Sequence, residues 1–345
     1  MRRASPPQLS HARAIVERIL WVIIATMSGR PIVLLPHERA AWYFDPLRVA
    51  LLDRGLRSLP DLNLPGLNFA RKIVSRCGLQ SNFRMGDSAC LGLTGWAGTR
   101  AFFPQGYWHE QVLYGIDCWE PQWALWTSRL KRNRVRFAMF SSADSAEYLK
   151  GKVPGLLTHW IPEAIADTEV ISAPLPLTER GIDLLEYGRV HASFHDQARM
   201  ELDHLKRHHV FPGGKHSPSL DPQGLLAQRR NAKLVVVYPQ CDTHPRRAGR
   251  VETVTLRYFE GMAAGALLIG RAPRELIDLF GYDPTVTVDV RKNVGHQVLD
   301  ILSRIEGYQS LVERNLQRVR EVGVWSVRAD QMIDALRSAG YEAAR

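Results

Sequence analysis

The sequence has few cysteines, and they form no metal-binding or disulfide framework. Cys77, Cys90, Cys118 and Cys241 lie far apart, and none belongs to a Cys-x-x-Cys pair. This spacing argues against a zinc knuckle and against a disulfide-dense secreted domain. We therefore expect a protein of the reducing cytoplasm.

Two common phosphate-binding motifs are also missing. The glycines of "GLTGWAG" (residues 92–98) do not have the Gly-x-Gly-x-x-Gly spacing, and no Gly-Lys-Ser/Thr P-loop occurs. Both motifs place backbone amides against phosphates at a helix start. Their absence argues against a dinucleotide-dependent dehydrogenase and against a P-loop kinase.

Near its start the chain has only a short apolar run. "ILWVIIATM" (residues 19–27) has nine residues, whereas a helix that spans a bilayer needs about 20. Charged residues before this run and the lack of a clear cleavage site argue against a signal peptide. The longer stretch 11–27 predicts an amphipathic helix that packs on the protein body, with peripheral contact to a membrane surface as the alternative.

The overall charge is positive. The 345 residues include 45 Lys and Arg against 35 Asp and Glu, a formal net charge of +10. Such a surface favours anionic partners, including nucleotides, phospholipid headgroups, phosphorylated saccharides and nucleic acid, although it also serves solubility. Hydrophobic residues make up 45% and charged residues 23%, as in an ordinary globular protein.

Short apolar runs alternate with helical segments along the chain, and this pattern predicts parallel α/β sheets. We expect an α/β fold of two doubly wound, Rossmann-like domains that face each other across a cleft. The first domain has predicted strands at residues 31–36, 89–95, 111–117, 135–142 and 156–162. The second has them at 182–188, 209–214, 232–239, 265–270 and 284–290.

The boundary between the domains is predicted near residues 168–178. This stretch contains two prolines and has no clear helical period. The predicted units are an N-terminal, acceptor-side domain (1–170), a C-terminal nucleotide-sugar domain (171–325) and a C-terminal helix (326–345). Ligands of such sheets bind at the carboxyl ends of the strands.

The stretch "ETVTLRYFEGMAAGALLIG" (residues 252–270) places two acids around a predicted helix. Glu252 lies at the predicted helix start, and Glu260 lies about 12 Å further along if the whole stretch is helical. A carboxylate in that position accepts hydrogen bonds from a diol, although solvated helix acids are the plain alternative. Gly261 is unfavourable inside a helix and indicates close packing beside a ligand or a strand.

These residues closely resemble the nucleotide-sugar signature of retaining group-1 glycosyltransferases with the GT-B fold. The signature is Glu, seven residues, Glu, then a Gly-Met-Ala-like segment and an apolar strand. "EYGRVH" (residues 186–191) and "HWIPEAI" (159–165) are similar to further segments of that family. The resemblance is specific over residues 181–290 and only architectural over the first half.

The resemblance implies roles for individual residues. Glu260 would bind the ribose hydroxyls beside Gly261, Glu252 would contact the transferred sugar, and Arg189 would contact the diphosphate. A lysine usually follows that arginine, but here Phe194 and His195 occupy its place. The substitutes we consider for it are Arg257 and the loop residues Arg246, Arg247 and Arg250. The resemblance also implies sugar transfer with retention and without an obligatory metal or other cofactor.

The first half offers fewer candidates. His109 and Asp117 lie near predicted strand ends and are candidate catalytic residues, although a lone histidine is more often structural. Trp96 lies in a glycine-rich loop, where its ring could stack on an acceptor.

The sequence therefore predicts a cytoplasmic glycosyltransferase that uses a nucleoside-diphosphate sugar. Its acceptor is unknown, with an anionic or lipid-linked molecule favoured by the charge. The alternatives are a glycosyltransferase that modifies nucleic acid and a non-catalytic nucleotide- or sugar-binding module on the same fold. The basic charge supports the first alternative, and the missing lysine supports the second.

Overall fold

The computed structural model describes residues 32–34, 43–58, 69–70, 73, 89–95, 109–212 and 220–341. The predicted amphipathic helix at 11–27 and the candidate Trp96 lie outside these ranges. Within them, no helix is both long and apolar enough to cross a bilayer.

The first half forms a parallel sheet with the strand order β2-β1-β3-β4-β5-β6. Its central strands are buried along nearly their whole length, because helices cover both faces of such a sheet. The strands are β1 (Ile32–Leu34), β2 (Arg57–Ser58), β3 (Ala89–Gly95), β4 (Glu110–Ile116), β5 (Phe137–Phe140) and β6 (Leu157–Trp160). The helices between them are α1 (Asp45–Asp53), α2 (Trp123–Arg132) and α3 (Ala143–Lys152).

The second half forms another parallel sheet, with the order β11-β10-β9-β7-β8. Its strands are β7 (Ile182–Leu185), β8 (His209–Val210), β9 (Ala232–Val237), β10 (Leu267–Gly270) and β11 (Thr285–Thr287). Its helices are α4 (Ala192–His204), α5 (Pro222–Asn231), α6 (Gln240–Thr243), α7 (Pro245–Ala248), α8 (Leu256–Ala263), α9 (Arg274–Phe280) and α10 (Val294–Ser303). The helices α11 (Gln309–Val322) and α12 (Trp325–Ser338) follow.

The prediction of an α/β fold with two Rossmann-like domains is confirmed. Each predicted strand overlaps an observed one, although most observed strands are shorter. Local signals explain several helix starts: Ser142 caps α3 by accepting from the amide of Ser145, and Asp221 caps α5 just before Pro222. The short strand β2 and the helices α2, α5, α6 and α7 were not predicted.

The chain passes from one hydrophobic core to the other within two residues. Ala164 packs in the core of the first sheet, and the next residue, Ile165, packs in the core of the second. This crossover lies before the predicted boundary at residue 170. Ile165 also forms an isolated parallel bridge with Val324, just ahead of α12.

The last helix returns to the first half. Trp325, Ala329 and Met332 of α12 are buried in the same core as α1 and β3, and Arg54 of the α1 C-terminus pairs with Asp330 at 2.5 Å. The predicted terminal helix therefore begins at Trp325 and adds to the core of the first domain.

Candidate functional site

A small pocket opens at the carboxyl end of β7, where the turn after the strand meets α4 and α8. Such a strand end is where ligands of parallel α/β sheets bind. The strand ends at Leu185, and the turn after it carries Arg189, which sequence analysis assigned to the diphosphate. The pocket is lined by Glu186, Tyr187, Arg189, Val190, His191, Val236, Tyr238, Thr243 and Arg257.

Positive side chains converge on this pocket. Burial, followed by the charges of Arg257 and Arg247, lowers the pKa of the Arg189 guanidinium. Burial and the same three arginines lower the pKa of His244. Cations that depress one another's pKa in this way lie close together and favour an anion between them. We call Arg189, Arg247 and Arg257 the cation cluster, and His244 beside them is an imidazole that burial and these arginines keep uncharged at neutral pH.

Arg189 is the member of the cluster whose side chain remains available to a ligand. Within the part of the chain that the structure describes, its guanidinium makes no hydrogen bond or ion pair with a carboxylate. A half-buried arginine without such a partner has five donors that can serve a ligand, and its planar fork matches phosphate oxygens.

Arg257 is held in place by the β7 turn. Its Nη1 donates to the carbonyl oxygen of Arg189 at 2.5 Å, and its guanidinium lies 5.4 Å from the centroid of the Tyr187 ring. Gly188, with φ +66°, permits this approach, because a Cβ there would lie 2.7 Å from Arg257 Nη2. The glycine before Arg189 thus brings the two arginines together.

The N-terminus of α4 faces the same pocket. His191 is the N-cap of this 13-residue helix and offers no side-chain cap, so the first-turn amides remain available to a ligand. Over the described residues, the buried Nδ1 of His191 has no hydrogen-bond partner. Free donors, an orphaned ring nitrogen and the cation cluster all suit a phosphate group.

Asp117 lies opposite the cation cluster, at the carboxyl end of β4 in the first domain. Its Oδ2 is 3.6 Å from Arg247 Nη2, and its Oδ1 accepts from the indole of Trp119 at 3.0 Å. The structure therefore brings this predicted residue to the site. His109 lies at the amino end of the same strand, roughly 25 Å away by strand length. It is buried there, on the sheet edge away from the pocket, so the structure does not support its predicted catalytic role.

Glu163 is a site residue that sequence analysis missed. It lies just after β6, at the point where the chain leaves the first domain. Burial, followed by the charge of Asp117, raises the pKa of Glu163 to about 8, although Arg189 acts in the opposite direction. Of the residues that the structure describes, none forms a hydrogen bond or ion pair with its carboxyl group. In the sequence, Glu163 is marked only by being an acidic residue directly after "HWIP". Its role depends on the contact between the two domains, which the sequence does not show.

Glu252 precedes its helix. The predicted helix start near Thr253 is corrected, because α8 begins at Leu256 with Thr255 as its N-cap. The estimate of 12 Å between the two glutamates assumed a continuous helix and therefore does not hold. Glu252 Oε1 accepts from Arg271 Nη1 at 2.6 Å and from the amide of Arg274 at 3.1 Å. Arg271 also binds Asp242 through two nitrogens, so the Glu252 carboxylate is held in a defined position.

Glu260 lies on α8 beside Tyr187 and already has a partner. Its Oε1 is 3.1 Å from Arg229 Nη1, and its side chain is 23% exposed. A ribose diol at this position would share the carboxylate with Arg229, which also contacts Glu169 at 3.5 Å.

Gly261 has a packing role. A Cβ at this position would lie 2.6 Å from Leu268 Cδ2 and 3.2 Å from Val235 Cγ1, both in the sheet below. The absence of a side chain lets α8 lie directly on β9 and β10. Close packing alone explains why a glycine occupies this position. The predicted contact between Gly261 and the substrate is therefore not needed to explain the residue.

Neither of the two residues at the position of the missing lysine takes over its role. Phe194 is buried in the core, and His195 hydrogen-bonds to Glu186. Among the loop arginines, Arg250 pairs with Glu120 of the first domain at 2.9 Å, and Arg246 is exposed. Arg247 and Arg257 are the candidates that the fold brings to Arg189.

Comparison with known proteins supports the fold. No protein-family model matches the sequence, and no curated protein matches it either. Among solved structures, Anabaena Alr3699/HepE in complex with UDP and glucose is 12% identical, with a TM-score of 0.56, over 90% of this chain and 100% of that one. The α,α-trehalose-phosphate synthase (UDP-forming) from Burkholderia vietnamiensis is 12% identical, with a TM-score of 0.52, over 86% and 87%.

A third similar structure is a trehalose-6-phosphate synthase studied for glycosyl transfer with retention. It is 11% identical to this chain, with a TM-score of 0.51, over 100% of this chain and 99% of that one. All three similarities extend over both halves of the chain. The chain therefore has the GT-B glycosyltransferase fold.

Proposed function

We propose that this protein is a glycosyltransferase that takes a sugar from a nucleoside-diphosphate sugar. The observation that carries the proposal is the cation cluster, which converges on a pocket at the carboxyl end of β7 and the N-terminus of α4. A diphosphate is the ligand chemistry that this arrangement fits best. HepE, which has a similar fold, was solved with UDP and glucose.

In this proposal the cluster also serves the chemical step. The bond between the sugar and the diphosphate breaks, and negative charge grows on the departing phosphate oxygen. Preorganised cations lower the barrier because they stabilise that charge as it develops. The leaving phosphate takes the acceptor proton, and the sugar is transferred with retention, as the resemblance to group-1 enzymes implies. None of these steps needs a metal.

Glu252 and Glu260 are proposed to bind the donor at its two ends. Arg271 and the amide of Arg274 fix the Glu252 carboxylate in the segment before α8, where it would face the transferred sugar. Glu260 would bind the ribose. Asp117, on the first domain, pairs with Arg247 of the cation cluster and would face the acceptor. The acceptor is proposed to be anionic or lipid-linked, in keeping with the net charge of +10.

The first test is a thermal-shift panel of UDP, GDP, ADP and TDP, each compared with its nucleoside. At 100 times its dissociation constant, a bound ligand stabilises the folded state by about 2.7 kcal/mol. We expect one diphosphate to raise the Tm and its nucleoside to raise it much less. If none of the four changes the Tm, the site does not bind a diphosphate.

Turnover separates the enzyme from a non-catalytic binding module, which the absent lysine at Phe194 and His195 favours. The assay measures release of the nucleoside diphosphate from its sugar conjugate. We expect Glu252→Gln to lower that release by about a hundredfold, as for removal of one preorganised charged group, with diphosphate binding nearly unchanged. The control is Glu147→Gln, on the exposed face of α3. A wild-type protein that binds the donor and never releases the diphosphate is a binding module.

A further inference from the structure

A second cluster of polar side chains, in the second domain, borders the pocket and shares Glu186 with its lining. Glu186 at the end of β7, His195 on α4 and His209 on β8 approach one another from three elements. Glu186 Oε1 is 2.8 Å from His195 Nδ1 and 2.9 Å from His209 Nε2. One atom of each residue lies within 4.8 Å of the others.

These side chains are deeply placed. Only 1% of the Glu186 side chain and 5% of the His209 side chain is exposed, against 17% for His195. Both histidines direct a nitrogen at the same carboxylate oxygen. The other oxygen, Glu186 Oε2, is buried and has no hydrogen-bond partner among the described residues. A buried carboxylate is costly unless its charge is compensated, and here half of the group lacks a partner.

The donor set and its spacing match a metal site. Two imidazoles and one carboxylate are ligands that divalent transition metals prefer, Zn²⁺ in particular. In tetrahedral geometry, bonds of about 2.0–2.2 Å from one ion place neighbouring ligand atoms about 3.3–3.6 Å apart. The two distances from Glu186 Oε1 are the shorter ones of hydrogen bonds, and all three ligand atoms lie within 4.8 Å of one another, so a small outward shift of the side chains makes room for an ion.

We propose that Glu186, His195 and His209 bind one divalent transition-metal ion, with Zn²⁺ as the best match. The ion replaces the protons now shared between the imidazoles and the carboxylate, and it neutralises the buried charge of Glu186. It ties α4 and the two-residue edge strand β8 to the end of β7. This role is structural, and it is separate from sugar transfer, for which no metal is invoked.

The test measures metal content and thermal stability of the full chain. The protein is treated with a chelator, the chelator is removed, and Zn²⁺ or Mg²⁺ is added back before analysis by mass spectrometry and thermal unfolding. We expect uptake of one Zn²⁺ per chain with a rise in Tm, and no effect of Mg²⁺, because Mg²⁺ prefers oxygen ligands. Failure of the chelated wild type to take up Zn²⁺ would overturn the proposal.

Two variants locate the ion. His195→Gln and His209→Gln each remove one ligand, and we expect either change to weaken Zn²⁺ binding more than tenfold. The control is His208→Gln, which changes the neighbouring histidine, whose Nδ1 lies against the carbonyl oxygen of Gly181. Since His195 is the more exposed ligand, its variant tests the site even if the other does not fold. Zn²⁺ uptake that persists in both variants would place the ion elsewhere, for example at Cys241, and would contradict the assignment.

Discussion

At the scale of single residues, Glu163 has the most informative environment. Its pKa is raised to about 8 by burial and by Asp117, from an ordinary value of 4.5. Between these two values the folded protein keeps the proton and the unfolded chain releases it. Stability contributed by this group therefore falls as pH rises from about 5 to 8, by at most about 1.4 kcal/mol per pH unit.

We expect Glu163→Gln to remove this dependence. The variant gains stability relative to the wild type as pH rises from 5 to 8, because glutamine cannot ionise. Urea unfolding at several pH values measures the effect, with Glu147→Gln as the exposed control. Wild-type and variant stabilities that change in parallel over this range would show that Glu163 ionises normally.

Acids and arginines that belong to a motif could be predicted from the sequence, whereas those that only the folded chain brings together could not. Arg189, Arg257 and Asp117 were found because each follows a predicted strand or lies within the signature. Glu163, His244 and the His195–Glu186–His209 cluster were missed, since their roles depend on contacts between distant segments. His109 was a candidate catalytic residue because of its residue type. The sequence does not show which end of β4 faces the ligand.

At the scale of elements, the packing of α8 on the sheet decides where the site residues lie. Gly261 sits between α8 and the strands β9 and β10, and Leu268 and Val235 beneath it are fully buried. We expect Gly261→Ala to overpack this contact. The net loss of stability is about 1–2 kcal/mol, once the better helix propensity of alanine is subtracted.

The matched control is Gly151→Ala in α3. A Cβ there meets no atom within 4 Å, so alanine should stabilise the helix by up to about 1 kcal/mol. Denaturant unfolding measures both variants. A Gly261→Ala protein as stable as the wild type would show that the glycine is not needed for packing.

Strand positions followed closely from the sequence, whereas helix limits did not. Buried parallel strands contain continuous apolar runs, such as residues 234–237 and 267–270, and these stand out in any sequence. The start of α8 was placed three residues early, because Thr253 and Val254 precede the helix and donate hydrogen bonds to Glu275. Such a tertiary contact leaves no local signal.

At the scale of the whole molecule, Glu275 joins the two domains. Its Oε1 accepts from the amide of Ala143 in the first domain at 2.7 Å. Its Oε2 accepts from the Thr253 hydroxyl at 2.7 Å and from the amide of Val254 at 3.1 Å. The Thr253 hydroxyl oxygen also lies 3.2 Å from the carbonyl oxygen of Ser141 in the first domain. One buried carboxylate thus sets how the two halves meet beside the pocket.

We expect Glu275→Gln to destabilise the protein by about 1–3 kcal/mol. Both oxygens accept from N–H or O–H groups, so the amide nitrogen of glutamine must face a donor. Urea unfolding at pH 5 and pH 8 measures the loss. Because burial raises the pKa of Glu275 to about 7, the stability that this group contributes falls as pH rises towards that value, so the loss is larger at pH 5. An unchanged midpoint, equal to that of Glu147→Gln, would mean that these hydrogen bonds do not stabilise the domain contact.

The most direct measurement of the central claim is calorimetric binding of the preferred nucleoside diphosphate and its nucleoside to wild type, Arg189→Ala and Arg246→Ala. Arg189 faces the pocket without a carboxylate partner among the described residues, whereas Arg246 is an exposed neighbour of the cation cluster. We predict that Arg189→Ala weakens diphosphate binding by about tenfold or more and leaves nucleoside binding unchanged, with no effect of Arg246→Ala. Diphosphate binding that survives intact in Arg189→Ala, or equal losses for both ligands, would contradict the account.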